Sequence, residues 1–182
     1  MISLTSNQTA PSFDHPLEML HACHGKILRQ CDTLKKLATH LSEKGCDQQA
    51  RQAAQGILRY FDSAGQFHHQ DEEQDLFPTL RLSSGADQTQ RDALLERLLS
   101  EHVIMLAAWD ALRPALLKLA DGIDTPLPET VTGKFISSYT AHIAVEEAEL
   151  LPLAARLLSP QQTMHIGKNM AERRGAKFTV AD

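Results

Sequence analysis

The stretch HHQDEEQDLFP at residues 68–78 recurs as HIAVEEAELLP at residues 142–152, 74 residues further along the chain. Both copies follow the pattern H-x-x-x-E-E-x-x-L-[FL]-P. Because residues four apart lie on the same face of an α-helix, the histidine and the first glutamate of each copy can reach the same point. The repeat therefore predicts two helices that carry matching polar groups at corresponding positions.

The histidine of each copy lies in register with apolar residues of its own helix. Steps of three and four residues back from His68 reach Phe61, and a step of three back from His142 reaches Tyr139. This periodicity indicates that the polar residues face the core. Buried carboxylates without a countercharge cost several kcal/mol each, so we expect a positively charged group, a metal ion or a pair of them, between the two copies.

Five segments of the chain have the periodicity and the boundary residues of helices, and no segment has the alternating pattern of a strand. They span about residues 16–44, 47–82, 87–120, 129–158 and 160–175. Gly56 and Gly65 weaken the prediction of an unbent second helix. Four long amphipathic helices joined by mostly short loops are typical of an all-α, up-down-up-down four-helix bundle, here with a short additional C-terminal helix across one end.

The domain boundaries follow from this assignment. We expect a flexible N-terminus at residues 1–13, the four-helix bundle at residues 14–158, and the C-terminal helix and tail at residues 159–182. The length of 182 residues, with 42% hydrophobic and 23% charged content, suits one domain of ordinary size.

Composition excludes several classes of protein. No stretch approaches the ~20 apolar residues of a membrane span, and the first residues lack the features of a signal peptide, so we expect a cytoplasmic protein with no membrane association. The net charge of −5 and the scattered basic residues argue against a nucleic-acid partner. Cys23, Cys31 and Cys46 form no C-x-x-C pair, so neither a disulfide framework nor a thiolate zinc site is indicated.

The two helices outside the repeat also place a histidine on their apolar stripe. His24 lies between Leu20 and Ile27, and His102 lies between Leu98 and Met105. The predicted metal ligands are therefore His24, His68, Glu72, His102, His142 and Glu146. Imidazole and carboxylate without thiolate favour iron or manganese, with zinc possible, and this ligand number suits two irons bridged by the two carboxylates. A ferritin-like Glu-x-x-His site is excluded, because the pattern occurs only at Glu18–His21.

This combination of motifs resembles the hemerythrin-like family, the HHE cation-binding domain, over about residues 14–158. The resemblance implies a four-helix bundle with a non-haem di-iron centre, hence two irons per chain, with zinc or manganese as less favoured ions. It implies that the two bridging ligands are Glu72 and Glu146. It implies that the terminal ligands are His24, His68, His102 and His142. Activities of the family include oxygen carriage, sensing of oxygen, redox state or iron, and repair of iron–sulfur centres through nitric oxide chemistry.

The resemblance has one departure in the third helix. Oxygen-carrying members have a second histidine one turn after the first, and the corresponding residue here is Leu106. The departure argues against simple oxygen carriage and predicts an open or water-filled position on one iron, unless His69 or His21 supplies a fifth histidine. We expect a protein that binds oxygen or nitric oxide, or that serves redox or iron homeostasis, rather than an enzyme that turns over an organic substrate.

Several alternatives remain open at this point. Glu73 and Glu147 can orient imidazoles from outside the ligand set or be solvated neighbours, and a shifted register would use His69 with Glu73. The rival functions are a helical interaction module with a structural mononuclear metal and a metal sensor whose partner the sequence does not name. The basic stretch at residues 168–177 is interpreted as a solvated helix end.

Overall fold

The computed structural model describes residues 12–84 and 87–178, and most of the predicted flexible N-terminus lies outside the described residues. Within those ranges the chain is helical and contains no strand, so the all-α prediction is confirmed. The helices are α1 Pro16–Lys44, α2 Gln48–Phe61, α3 Ala64–Gln70, α4 Phe77–Leu82, α5 Gln88–Ala120, α6 Glu129–Val145, α7 Leu151–Leu157 and α8 Pro160–Arg173. Two π-helical segments, π1 at Asp71–Leu76 and π2 at Glu146–Leu150, join α3 to α4 and α6 to α7.

The elements form four helical rods in a closed bundle. The rods are α1, then α2 to α4 with π1, then α5, then α6 and α7 with π2. Helices α1 and α5 each pack against α2 and α6, so rods that follow one another in sequence are neighbours in space. Short connections between neighbours make the bundle up-down-up-down, as predicted. No helix in the described ranges is both long enough and apolar enough to cross a lipid bilayer.

Side-chain caps start α2, α5 and α8 at the helix starts that the sequence predicts. Asp47 accepts a hydrogen bond from the Ala50 amide at the start of α2. Asp87 accepts one from the Gln90 amide at the start of α5. Ser159 begins α8 with a capping box, in which its hydroxyl and the side chain of Gln162 accept reciprocal backbone hydrogen bonds.

The second rod differs from the single helix predicted for residues 47–82. Its α-helix stops at Phe61 and restarts at Ala64, because Ser63 leaves the helical conformation with φ −137° and ψ −84°. Just beyond the break, the backbone of Gly65 lies close to the ring of Phe61, and a Cβ at this position would be 3.1 Å from that ring. The glycine that weakened the prediction of an unbent helix thus lies directly after the interruption.

The π segments coincide with the two copies of the repeat. The Phe77 amide donates to the carbonyl of Glu72, five residues earlier, and the Leu151 amide donates to that of Glu146 in the same way. The repeat's proline comes two residues after the end of each segment, and it has no N–H and a ring that crowds the carbonyl four residues earlier. The wider π turn accommodates the proline without ending the rod.

A polar layer separates two apolar clusters along the bundle axis. One cluster surrounds Phe61, Trp109 and Tyr139, and the other surrounds Leu76 and Leu98. The predicted inward histidines lie between these clusters, one on each rod. The metal-ligand candidates are therefore shielded by hydrocarbon on both sides.

The basic C-terminal stretch is not the solvated helix end that the sequence predicted. Arg174 binds the fully buried carboxylate of Asp71 in π1 through two hydrogen bonds, at 2.6 and 3.0 Å. Arg173 also contacts Asp71 and donates to Asp75 at 2.6 Å, and the Asn169 amide donates to Asp75 at 2.6 Å. This ion-pair network fixes α8 against π1. The prediction was wrong because a buried acidic partner about a hundred residues away leaves no local signal in the sequence.

Candidate metal centre

The six residues predicted as metal ligands lie together in the buried polar layer. They form two overlapping groups, His24, His68, Glu72 and Glu146 in one and Glu72, His102, His142 and Glu146 in the other. Within each group, one ligand atom from every residue lies within 4.8 Å of the others. Both carboxylates belong to both groups, so the layer contains two adjoining positions for a cation.

Each carboxylate faces the two groups with different oxygen atoms. Glu146 Oε2 is 3.1 Å from His24 Nε2, and Glu146 Oε1 is 3.0 Å from His142 Nε2. Glu72 Oε1 is 3.5 Å from His68 Nε2, whereas Glu72 Oε2 is 3.4 Å from His102 Nε2. Atoms bound to one metal ion at about 2.1 Å are about 3 Å apart when they are adjacent ligands. The spacing therefore fits pairs of adjacent ligands on a bound cation.

Most of the polar atoms of the layer lack hydrogen-bond partners in the described ranges, although Nε2 of His102 and Nε2 of His142 lie 3.0 Å apart. Among the described residues, no aligned partner exists for either carboxylate oxygen of Glu72 or Glu146, for Nε2 of His24, or for either nitrogen of His68. Buried polar atoms of this kind destabilise a fold unless a partner is supplied. A cation supplies it, and imidazole nitrogen with carboxylate oxygen is a donor set that binds iron, manganese or zinc. The residues present therefore fit a bound metal.

Three carboxylates outside the ligand groups hold the histidine rings. Each accepts a hydrogen bond from the Nδ1 atom of one ring. Glu147 accepts from His24, and Glu73 accepts from His102 at 2.6 Å. Glu101 accepts from His142 at 2.8 Å. A proton on Nδ1 leaves the Nε2 lone pair directed at the centre, and the carboxylate makes the imidazole a stronger donor. Glu73 and Glu147 therefore orient imidazole rings from outside the ligand groups, which is one of the two alternatives that the sequence left open.

Sequence reasoning did not assign a role to Glu101. Its only local signal is that it immediately precedes His102 in α5, so that the two side chains point toward different neighbours. The contact from Glu101 to His142 crosses to α6, and such a contact depends on the packing of two helices rather than on either helix alone.

Other residues considered for the centre lie outside both groups. The ring of His69 stacks on that of His102, with centroids 4.1 Å apart, and Glu73 contacts His102, so the shifted register is absent. His21 is exposed and its Nδ1 lies 2.9 Å from Glu147. Leu106 is 56% exposed, so its side chain lies outside the buried polar layer.

Burial and neighbouring charges shift the pKa values of the groups in the layer in opposite directions. Burial and the nearby Glu146 raise the pKa of Glu72 well above its usual range. Burial opposes ionisation of Glu146 as well, but His142 and His24 outweigh it and hold that pKa well below the usual range. Burial lowers the pKa of both histidines, yet their contacts with Glu146 dominate and the net pKa shift is upward. Burial lowers the pKa of His68 to about 3, so that ring is neutral.

We expect metal uptake to release protons and to weaken as the pH falls. Glu72, His24 and His142 must lose protons before they bind metal, and their raised pKa values mean that protons persist on them to a higher pH than on free side chains. Calorimetric titration with Zn²⁺ at about pH 6 and about pH 8, in buffers of different ionisation enthalpy, measures both effects. Equal affinity at both pH values without proton release would contradict the expectation.

Comparison with known proteins agrees with the geometry. The Hemerythrin HHE cation binding domain matches residues 15–154, a range that contains every residue of both ligand groups. A protein of Haemophilus influenzae, described as uncharacterized, is 34% identical over 170 residues, which cover 93% of this chain and 96% of that protein. The chain therefore belongs to the hemerythrin HHE cation-binding domain family.

Proposed function

We propose that the protein binds two iron ions in the polar layer and uses them to bind oxygen or nitric oxide, or to serve redox or iron homeostasis. The observation that carries this proposal is the arrangement of Glu72 and Glu146, each of which faces one histidine pair with one oxygen and the other pair with the second oxygen. A single ion cannot use both oxygens of both carboxylates with histidines on opposite sides. Two ions bridged by the carboxylates can.

The ligand count leaves room for a small molecule. Each position has two imidazole nitrogens and one oxygen from each carboxylate, which makes four protein ligands. An ion that takes six ligands therefore keeps positions that the protein does not fill. When bound, a pair of irons supplies one-electron redox chemistry and these open positions.

The chain's own residues position the ligands and limit water. Glu73, Glu101 and Glu147 hold the imidazole rings in the orientation that metal binding requires. The apolar clusters above and below the layer keep bulk water from the carboxylates. These features support binding of a small ligand and electron exchange at the centre.

Elemental analysis with an ultraviolet–visible spectrum tests the proposal. The protein is purified without chelators and without a metal-affinity column, so that metal bound in the cell is retained. We expect about two irons per chain and near-ultraviolet bands that change on reduction and on addition of oxygen or nitric oxide. One zinc, or no metal, together with a featureless spectrum and an intact fold would overturn the proposal in favour of a structural module.

A further inference from the structure

The two histidine pairs are related by the internal repeat. His68 and Glu72 of the first copy correspond to His142 and Glu146 of the second. The remaining histidine of each group comes from the helix before its copy, α1 or α5. The two halves of the chain are therefore related by an approximate symmetry, and this symmetry maps one ligand group onto the other.

The correspondence extends to two of the outer carboxylates. The second glutamate of each copy contacts the histidine from the other half, so that Glu73 accepts from His102 and Glu147 accepts from His24. These two contacts are equivalent under the same exchange. One ring in each group is thus held in the same way.

The correspondence fails at the remaining ring of each group. The Nδ1 of His142 donates to Glu101, which precedes the ligand histidine of α5. The residue that precedes the ligand histidine of α1 is Cys23, and Nδ1 of His68 has no hydrogen-bond partner among the residues that the structure describes. A thiol is only a weak acceptor, so Cys23 does not replace the missing carboxylate.

The acidic groups beside the two remaining rings are paired with arginines in both halves. Asp71, next to the ligand Glu72 of the first copy, is neutralised by Arg173 and Arg174, and the corresponding residue of the second copy is Val145. Asp71 therefore adds no net negative charge near His68. Glu101 is also paired, because its Oε1 accepts from Arg97 at 2.8 Å, so net charge does not separate the two positions. What separates them is that Glu101 Oε2 accepts from His142 Nδ1, whereas His68 Nδ1 has no acceptor among the described residues.

From this difference we infer that the two metal positions are unequal: the position at His102 and His142 binds its ion more tightly and fills before the position at His24 and His68. The inference rests on the proposed two-metal function. A carboxylate on Nδ1 increases the donor strength of the imidazole and fixes its orientation, and loss of such a contact lowers metal affinity about ten- to hundredfold. Only the position at His102 and His142 has a carboxylate on the Nδ1 atom of both of its rings.

Titration of the metal-free full-length protein with Mn²⁺ under anaerobic conditions, followed by electron paramagnetic resonance, tests the order of filling. We expect two binding steps whose affinities differ about ten- to hundredfold, with the signal of an isolated ion during the first step and of a coupled pair after the second. His142→Ala should remove the tight step, whereas His68→Ala should keep it. Retention of the tight step in His142→Ala and its loss in His68→Ala would reverse the assignment.

Substitution of Glu101 tests the cause. Glu101→Gln should weaken the first step until it approaches the second, and Glu101→Asp, which keeps the charge, should recover part of the difference. Glu101 is partly exposed, so neither change leaves a buried charge behind. Cys23→Ala is the matched control and should leave both affinities unchanged, because it neither removes an acceptor from His68 nor adds one.

The possible failures are distinguishable. A wild-type protein that binds fewer than two Mn²⁺ ions contradicts the proposed function, and the inference with it. Two ions bound with equal affinity, or a separation that Glu101→Gln does not reduce, overturns the inference and leaves the proposed function intact.

Discussion

Glu146→Ala and Glu72→Ala should each reduce bound metal from about two ions per chain to less than about one. Each carboxylate contributes an oxygen to both ligand groups, so its loss removes a ligand from both positions at once. The helical fold should persist, because alanine also removes a buried carboxylate that has no aligned hydrogen-bond partner in the described chain. Elemental analysis and circular dichroism on the same sample measure the two quantities.

Glu149→Ala is the matched control for this pair. Glu149 lies in π2, three residues after Glu146, and its side chain is exposed. It should retain the metal content of the wild type. Two ions retained by Glu146→Ala, or an equal loss of metal in Glu149→Ala, would exclude the carboxylate bridges.

Removal of metal with a chelator should lower the melting temperature by about 10 °C. A ligand present at about a thousand times its dissociation constant stabilises the native state by about 4 kcal/mol. For a protein of this size, each kcal/mol changes the melting temperature by about 2–4 °C. Differential scanning calorimetry before and after chelation measures the change, and addition of metal should reverse it.

The Glu146→Ala variant serves as the control for chelation. Since this variant holds less than about one ion per chain, the chelator should lower its melting temperature by less than it lowers that of the wild type. An equal decrease in both proteins would mean that the chelator acts elsewhere, and an unchanged wild type would show that the centre contributes no metal-dependent stability.

The features that could be predicted from the sequence are those with a local periodic signal. Caps and breakers such as Asp47 and Ser159 located helix boundaries, because capping depends on a few neighbouring residues. The inward direction of His24 and His68 followed from their register with apolar neighbours, which burial in the structure confirms. The repeat then indicated which residues share a layer.

The features that could not be predicted depend on contacts between rods. Glu101 reaches His142 only because α5 and α6 pack at a particular rotation, and Arg174 meets Asp71 only because α8 folds back onto π1. The π segments were also missed, since a 3.6-residue periodicity assumes the same turn throughout a helix. The exposure of Leu106 shows that one turn beyond a buried histidine can already be at the surface.

The contact of α8 with π1 has a consequence for biosynthesis. A chain is synthesised from its N-terminus, so Asp71 leaves the ribosome about a hundred residues before Arg174, its partner at 2.6 Å. Until that arginine emerges, burial of Asp71 leaves a carboxylate without a countercharge, which opposes closure of π1 around Glu72. We therefore expect π1 to close around Glu72 only after α8 has been translated.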